Sequence, residues 1–104
     1  MFKLSFYVPE SHSEKVKQAC FDAGAGRIGH YDMCCWQTAG QGQFRPLDGS
    51  HPSIGVQGQL ETLSELKIEM VCADEHRDAV VEALKSIHPY EEVAYVVIPL
   101  SEPD

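Results

Sequence analysis

His88-Pro89-Tyr90-Glu91-Glu92 gathers an imidazole, a phenol and two carboxylates into one short segment. Imidazole nitrogen and carboxylate oxygen are ligands for divalent ions, so His88 and Glu91 form a candidate metal pair. His51, in a distant loop, could add a further ligand. The same segment also suits a purely structural turn. Pro89 cannot continue a helix, and a histidine at a helix C-terminus interacts favourably with the exposed carbonyls. The spacing alone leaves both readings open.

A second group lies between Gly24 and Cys35. If His30–Ala39 is a strand, then His30, Asp32 and Cys34 share one face. A cysteine, a histidine and an aspartate can together activate a thiolate. Side chains two apart on a strand sit about 7 Å from each other, too far for direct hydrogen bonding. Cys35 should face away from Cys34, which makes the two a poor chelating pair for zinc. Cys20 and Cys72 fall on core faces and read as packing residues. Gly24-Ala25-Gly26-Arg27-Ile28-Gly29 spells G-x-G-x-x-G. The dinucleotide fingerprint needs a strand before it and a helix after it; here the order is reversed, and a helix C-terminus has the wrong dipole sign for phosphate. A helix stop and tight turn is the expected reading. His12 and His76 each stand four residues before a core valine, Val16 and Val80, and are expected as partly buried histidines at helix starts.

The elements that must position these groups follow from periodicity. Phe2, Leu4, Phe6 and Val8 alternate with Lys3, Ser5 and Tyr7, which predicts a half-buried strand. Ser11 or Ser13 then caps a helix whose apolar face is Val16, Ala19, Cys20 and Ala23, stopped by Gly24. All eight glycines lie from Gly24 to Gly58, which excludes a regular helix there. A strand over His30–Ala39, a turn at Gly40-Gln41-Gly42, a short return strand from Gln43 to Pro46 and a long loop from Pro46 to Gln59 are expected. Glu65–Cys72 alternates again as a strand. Asp74 caps a second helix with the stripe Val80, Ala83, Leu84 and Ile87, ended by Pro89; Val93–Leu100 is the last strand. The order predicts one α+β domain over residues 1–104, a ferredoxin-like β-α-β-β-α-β sandwich with an extra β-hairpin and a frayed tail at 101–104.

The final strand is apolar on both faces, with Val93, Tyr95 and Val97 on one and Ala94, Val96, Ile98 and Leu100 on the other. In a two-layer protein only one sheet face meets the helices, so the other needs cover, and self-association is the simplest source. The chain of 104 residues carries a net charge of −8, all of it arising in its second half. That balance disfavours nucleic acid and anionic membrane as partners. Met1-Phe2-Lys3 leads into alternation rather than an apolar leader, and the longest apolar run is Val93–Ile98. The four cysteines read as reduced thiols. A cytoplasmic chain is the expectation.

Gly24–Asp32, Gly40-Gln41-Gly42-Gln43-Phe44-Arg45-Pro46, Ile54-Gly55-Val56-Gln57-Gly58 and His88–Tyr95 occur in this order. Together they resemble the middle domain of the Nif-three-like (YqfO-type) family, over essentially the whole chain. The resemblance implies a CutA/PII-like trimer fold. It also implies that this chain is a standalone version of that insert, without the flanking halves that carry the family's metal ligands. No dinuclear-metal hydrolase or cyclohydrolase activity is then expected. His30 stands where the family more often has Asn, and Cys35-Trp36 where Ser-Phe is usual. Val93 and Val96 replace a frequent Pro and Asp.

These readings converge on a non-enzymatic sensor or binding module: a homo-oligomer, trimer favoured, holding a small ligand or divalent metal ion in clefts between subunits. Gly26, Gly29, His30 and Tyr31 from one segment and His88, Tyr90, Glu91 and Glu92 from the other would line those clefts, with His88 and Glu91 as metal ligands. No cofactor is required by this reading. One alternative is an interaction module that docks on another protein without a small ligand. The other is a hydrolase, thiol-dependent through Cys34 and His30 or metal-dependent through His88 and Glu91.

Overall fold

A computed structural model describes residues 1–101. Strand β1 spans Phe2–Pro9, helix α1 Ser13–Asp22, strand β2 Trp36–Phe44, strand β3 Glu61–Cys72, helix α2 Arg77–Ile87 and strand β4 Tyr95–Pro99. The four strands form one antiparallel sheet in the order β2-β3-β1-β4. This is the ferredoxin-like split β-α-β arrangement expected from the alternating elements. From residue 102 onward the expected frayed tail lies outside the described residues.

The core holds most of the residues that the periodicity selects, but Ile87, expected in the α2 stripe, is exposed, while Phe21 and Ala25 join the core without belonging to a predicted stripe. Phe2, Leu4, Phe6 and Val8 of β1 and Leu66, Ile68, Met70 and Cys72 of β3 point to one face of the sheet and are buried there. Val16, Cys20 and Phe21 of α1 and Val80 and Leu84 of α2 close over them. Val93, Tyr95 and Val97 pack at the margin of this cluster. The two helices therefore cover one face only. On the other, Val96, Ile98 and Leu100 are exposed, as are Tyr7 and Trp36.

Four expectations about local structure are corrected. The second strand begins at Trp36, so His30, Asp32 and Cys34 belong to the preceding loop rather than to a common strand face. Gly40-Gln41-Gly42 is not a turn: β2 runs through it to Phe44, in register from Trp36 opposite Glu69 to Phe44 opposite Glu61. The extra hairpin is therefore absent as a separate element, and the predicted return strand is the end of β2. Glycine inside a strand often marks a place where another group approaches closely. A Cβ on Gly42 would meet the Glu65 carboxylate, its nearest atom only 2.0 Å away. The last strand begins at Tyr95, and Val93–Ala94 are its approach. Neither helix takes a side-chain N-cap. A 3-10 turn leads into each, and His12 and His76 hold the N-cap positions. Ser13 is buried, its hydroxyl donating to the Glu10 carbonyl at 2.9 Å.

Glycine freedom is required where α1 gives way to β2. Gly24 and Gly26 adopt φ of +119° and +79°, and a Cβ on Gly26 would strike the Phe21 ring. The Gly26 amide donates to the Val71 carbonyl at 2.8 Å, and the Cys34 amide to the Gly26 carbonyl at 2.8 Å. The loop is thereby pinned to the end of β3 before β2 begins.

Ile68 is fully buried on the central surface of β3. Ile68→Ala should cost about 2–5 kcal/mol, the range for truncating a buried aliphatic side chain. Urea unfolding is the measurement, with a lower midpoint at unchanged slope as the expected result.

Candidate functional site

The helix-free face of the sheet carries a cleft of about 620 Å³ at the end where α2 returns to β4. Its walls come from the end of β2 and the following loop, including Phe44, Pro46, Leu47 and Ile54. Glu65, Tyr90, Glu91 and Glu92 supply its acidic and phenolic groups, and Arg45 its one cation among the lining residues.

His88 builds the cleft without lining it. The helix ends there because Pro89 follows and His88 turns extended, at φ −61° and ψ 137°. Its side chain is buried. Nε2 lies 2.7 Å from the Tyr7 carbonyl, and Nδ1 accepts the Tyr90 amide at 3.1 Å. A nitrogen that receives an N–H cannot carry a proton, so Nε2 holds it and donates to Tyr7. The imidazole is neutral and both nitrogens are engaged. Burial pushes its pKa below the ordinary histidine value, opposed by the hydrogen bond to Tyr7 and by the charge of Glu65.

That anchor aims Tyr90. The phenol donates to Glu65 Oε2 at 2.5 Å, and its ring meets Phe44 edge-on with centroids 5.3 Å apart. Burial, followed by the bond to Glu65, pushes the phenol well above its ordinary range. Tyr90 is therefore a neutral donor at physiological pH. Glu91 turns to the long loop, where Oε2 accepts the His51 amide at 3.0 Å. Glu92 is exposed at the rim.

The predicted site residues thus divide. His88, Tyr90, Glu91 and Glu92 stand together around the cleft. Gly26, Gly29, His30 and Tyr31 lie at the other end of the sheet. Gly26 bonds Val71, whereas Tyr90 bonds Glu65, six residues earlier on β3; at about 3.3 Å per residue the separation is roughly 20 Å. Gly29 and His30 form the tip of a tight turn, closed by Ile28 and Tyr31 exchanging backbone hydrogen bonds at 2.9 Å. His30 is exposed, and Tyr31 is 75% exposed. The Cys34 thiol donates to the Asp32 carbonyl at 3.6 Å. Among the described residues, no three His, Cys, Asp or Glu side chains gather closely enough to hold a metal ion. A metal ion on His88 would have to displace one of its backbone partners. Sequence reading passed over Glu65, Phe44 and Gly42, because no local pattern links them to the turn at 88–92.

The remaining thiols, Cys20 and Cys72, are buried. Burial, with Cys72 nearby, pushes Cys20 up to about 12, and burial also raises Cys72. No described helix is long and apolar enough to cross a membrane.

No family model matches the chain. Curated relatives do. The chain is 44% identical over 101 residues to the GTP cyclohydrolase 1 type 2 homolog of Halalkalibacterium halodurans, and 44% identical over 100 residues to that of Bacillus subtilis. These stretches cover 97% and 96% of this chain but 27% of each relative, so the chain spans about a quarter of their length. Among solved structures it is similar to a Bacillus cereus protein related to NIF3, with a TM-score of 0.81 and 40% identity over 97% of this chain and 26% of that one. CutA1 from Pyrococcus horikoshii aligns with all of this chain and 87% of its own, at a TM-score of 0.69 and 15% identity, which shows a common fold.

The pH dependence of stability follows from His88. Its pKa is lower folded than unfolded, so below the ordinary value near 6.5 the unfolded chain binds the extra proton first. The contribution is complete above that pH and is lost as pH falls through it. Thermal melting should therefore weaken between pH 8 and pH 5.5. His88→Gln should cost about 1–3 kcal/mol at pH 8, through lost buried hydrogen bonds, and flatten that dependence. In native protein at neutral pH, iodoacetamide should label Cys35 and Cys34 and reach Cys20 and Cys72 only on unfolding, read by mass spectrometry.

Proposed function

The chain is a homologue of one segment of the NIF3-related proteins, and on that premise we propose that it is an oligomeric binding module, trimer favoured, that holds a small ligand in the cleft beside Tyr90. One observation supports this above the others: the side of the sheet that carries the cleft is unfinished. Val96 and Ile98 on β4 and Leu100 just beyond it lie open, and β2 is an outer strand of nine residues, WQTAGQGQF, without a single charge. Open strand edges are normally blunted by charge, proline or a covering element. Every β2 side chain up to Gln41 is exposed. An uncharged edge beside an apolar face suits pairing with a second copy, because a closed symmetric assembly covers both at once.

In such an assembly the separated residues would share a common place. A neighbouring copy would bring the Gly26–Tyr31 turn, with Ile28 and Tyr31 exposed, toward the cleft end of the next sheet. Sites between copies would then contain both groups. A divalent ion held by Glu91 and a partner-borne ligand is the competing occupant. The relatives' cyclohydrolase name concerns proteins about four times as long, and the cleft described here offers binding surfaces rather than an activated nucleophile.

Native mass spectrometry of freshly purified protein, repeated after adding zinc or copper, tests this reading. The expected result is a trimer carrying extra mass that Tyr90→Ala reduces. Val96→Asp with Ile98→Asp should convert the trimer to monomer. A wild-type monomer would overturn the argument from the sheet. A trimer without bound mass, unchanged by metal, would favour a protein-docking role.

A further inference from the structure

Glu65 sits on the floor of the cleft with one carboxylate oxygen engaged and the other open. Oε2 accepts the Tyr90 phenol. Among the described residues no donor reaches Oε1, which lies over Gly42, where a Cβ would sit 2.0 Å from it. The absent side chain at position 42 is what lets the carboxylate lie there. A part-buried carboxylate with an open lone-pair position, facing a cavity, binds most strongly to a charged donor.

The surroundings specify the rest of the ligand. Of the charged groups lining the cleft, Glu65, Glu91 and Glu92 are acidic and Arg45 alone is basic, which attracts cations and repels anions. Between floor and rim, Phe44, Pro46, Leu47, Pro52 and Ile54 make much of the wall apolar. Phe44 and Tyr90 present an edge-to-face aromatic pair, and ring faces attract ammonium and guanidinium groups. A hydrated magnesium or calcium ion would use none of these walls, since it needs about six or more oxygen ligands, and for zinc no three His, Cys, Asp or Glu side chains gather among the described residues. The cavity, about 620 Å³, falls in the size range of small-molecule pockets.

We propose that the cleft takes a small organic cation, a primary amine or guanidinium on an apolar body, with its charged head on Glu65 Oε1 and its body against Phe44 and Tyr90. This rests on the small-ligand reading above and names the class of that ligand. Tyr90 acts as the positioning residue: by holding Oε2 it orients Oε1 toward the cavity.

Phenethylamine, its neutral analogue 2-phenylethanol and its anionic analogue 3-phenylpropionate test the class, with amide chemical shifts of the whole chain followed by NMR. Phenethylamine should bind saturably and shift residues near Phe44, Ile54 and Tyr90. The neutral and anionic analogues should bind at least about tenfold more weakly, the effect of roughly 1.4 kcal/mol. Glu65→Gln should weaken the amine by about tenfold or more. Gly42→Ala should do the same while retaining every charge, because its methyl group displaces only the flexible end of Glu65. Its circular dichroism and melting temperature should stay close to wild type. Equal binding of amine and acid, or amine binding indifferent to both substitutions, would overturn the cationic class and leave the small-ligand reading standing. Failure of all three probes would also overturn the class. If, in addition, native mass spectra show no retained mass, the small-ligand reading falls with it.

Discussion

A neutral imidazole buried between two backbone groups determines where the rest of this molecule can be. His88 donates to Tyr7 on β1 and accepts from Tyr90, so one side chain ties the end of α2 to the sheet and fixes the first step of the chain beyond it. The His88 amide meanwhile closes the last helical turn on Leu84 at 3.0 Å. Tyr7 completes the clamp through its own amide, which donates to Ala94 at 3.3 Å. The segment from His88 to Ala94 is therefore held at both ends by one residue of β1. Between those ends it has to bulge outward, and the bulge presents Tyr90 to Glu65. A charged imidazole could not do this, because a second N–H would confront the Tyr90 amide. No buried side-chain nitrogen or oxygen among the described residues lacks a partner, so this polar knot is buried with its hydrogen bonds made.

The same constraint explains which parts of the architecture were legible in the residues. The strands with alternating side chains, β1 and β3, and the helix stripes through Val16 and Cys20 and through Val80 and Leu84 are amphipathic elements whose period reports their own burial. β2 has no such period because neither of its faces is buried within the chain; its exposed residues carry no core signal, and its glycines imitate a turn. Gly42 is glycine because of Glu65, a residue more than twenty positions away in sequence. No local rule can recover that. The turn at 88–92 was legible as distinctive, but its meaning lay in partners at Tyr7 and Glu65, which only the fold supplies. The alternation assigned to His30, Asp32 and Cys34 failed for a related reason. The loop is pulled onto β3 through Gly26 and Val71, and the strand cannot start until that detour is complete.

Charge is handled on the open face in a way that suits assembly. Glu69 lies between Lys3, at 2.6 Å, and Lys67, at 3.8 Å, and the neighbouring Lys3 ammonium holds its carboxyl below the usual range. Exposed ion pairs of this kind contribute little to stability. Their effect is to leave the middle of the face close to neutral despite a net charge of −8 for the chain. Glu91 and Glu92 at the cleft rim and Asp78 and Glu82 on α2 carry exposed acids away from this middle region.

The order of the strands sets a schedule for folding. β1 is central, yet its partners are β3, with Phe2 opposite Cys72, and β4, with Phe2 opposite Pro99. The first of the four strands in sequence must therefore wait for the last. Pairings this distant in sequence slow the search for the native state, because the intervening chain must be closed into a loop before any contact stabilises it. Until β4 is available, a strand with four buried apolar residues has one unpaired edge, which is exposed to mispairing. Local signals can form α1, α2 and the β2–β3 ladder early. The closure of β4 on β1 is the step that converts those pieces into one sheet.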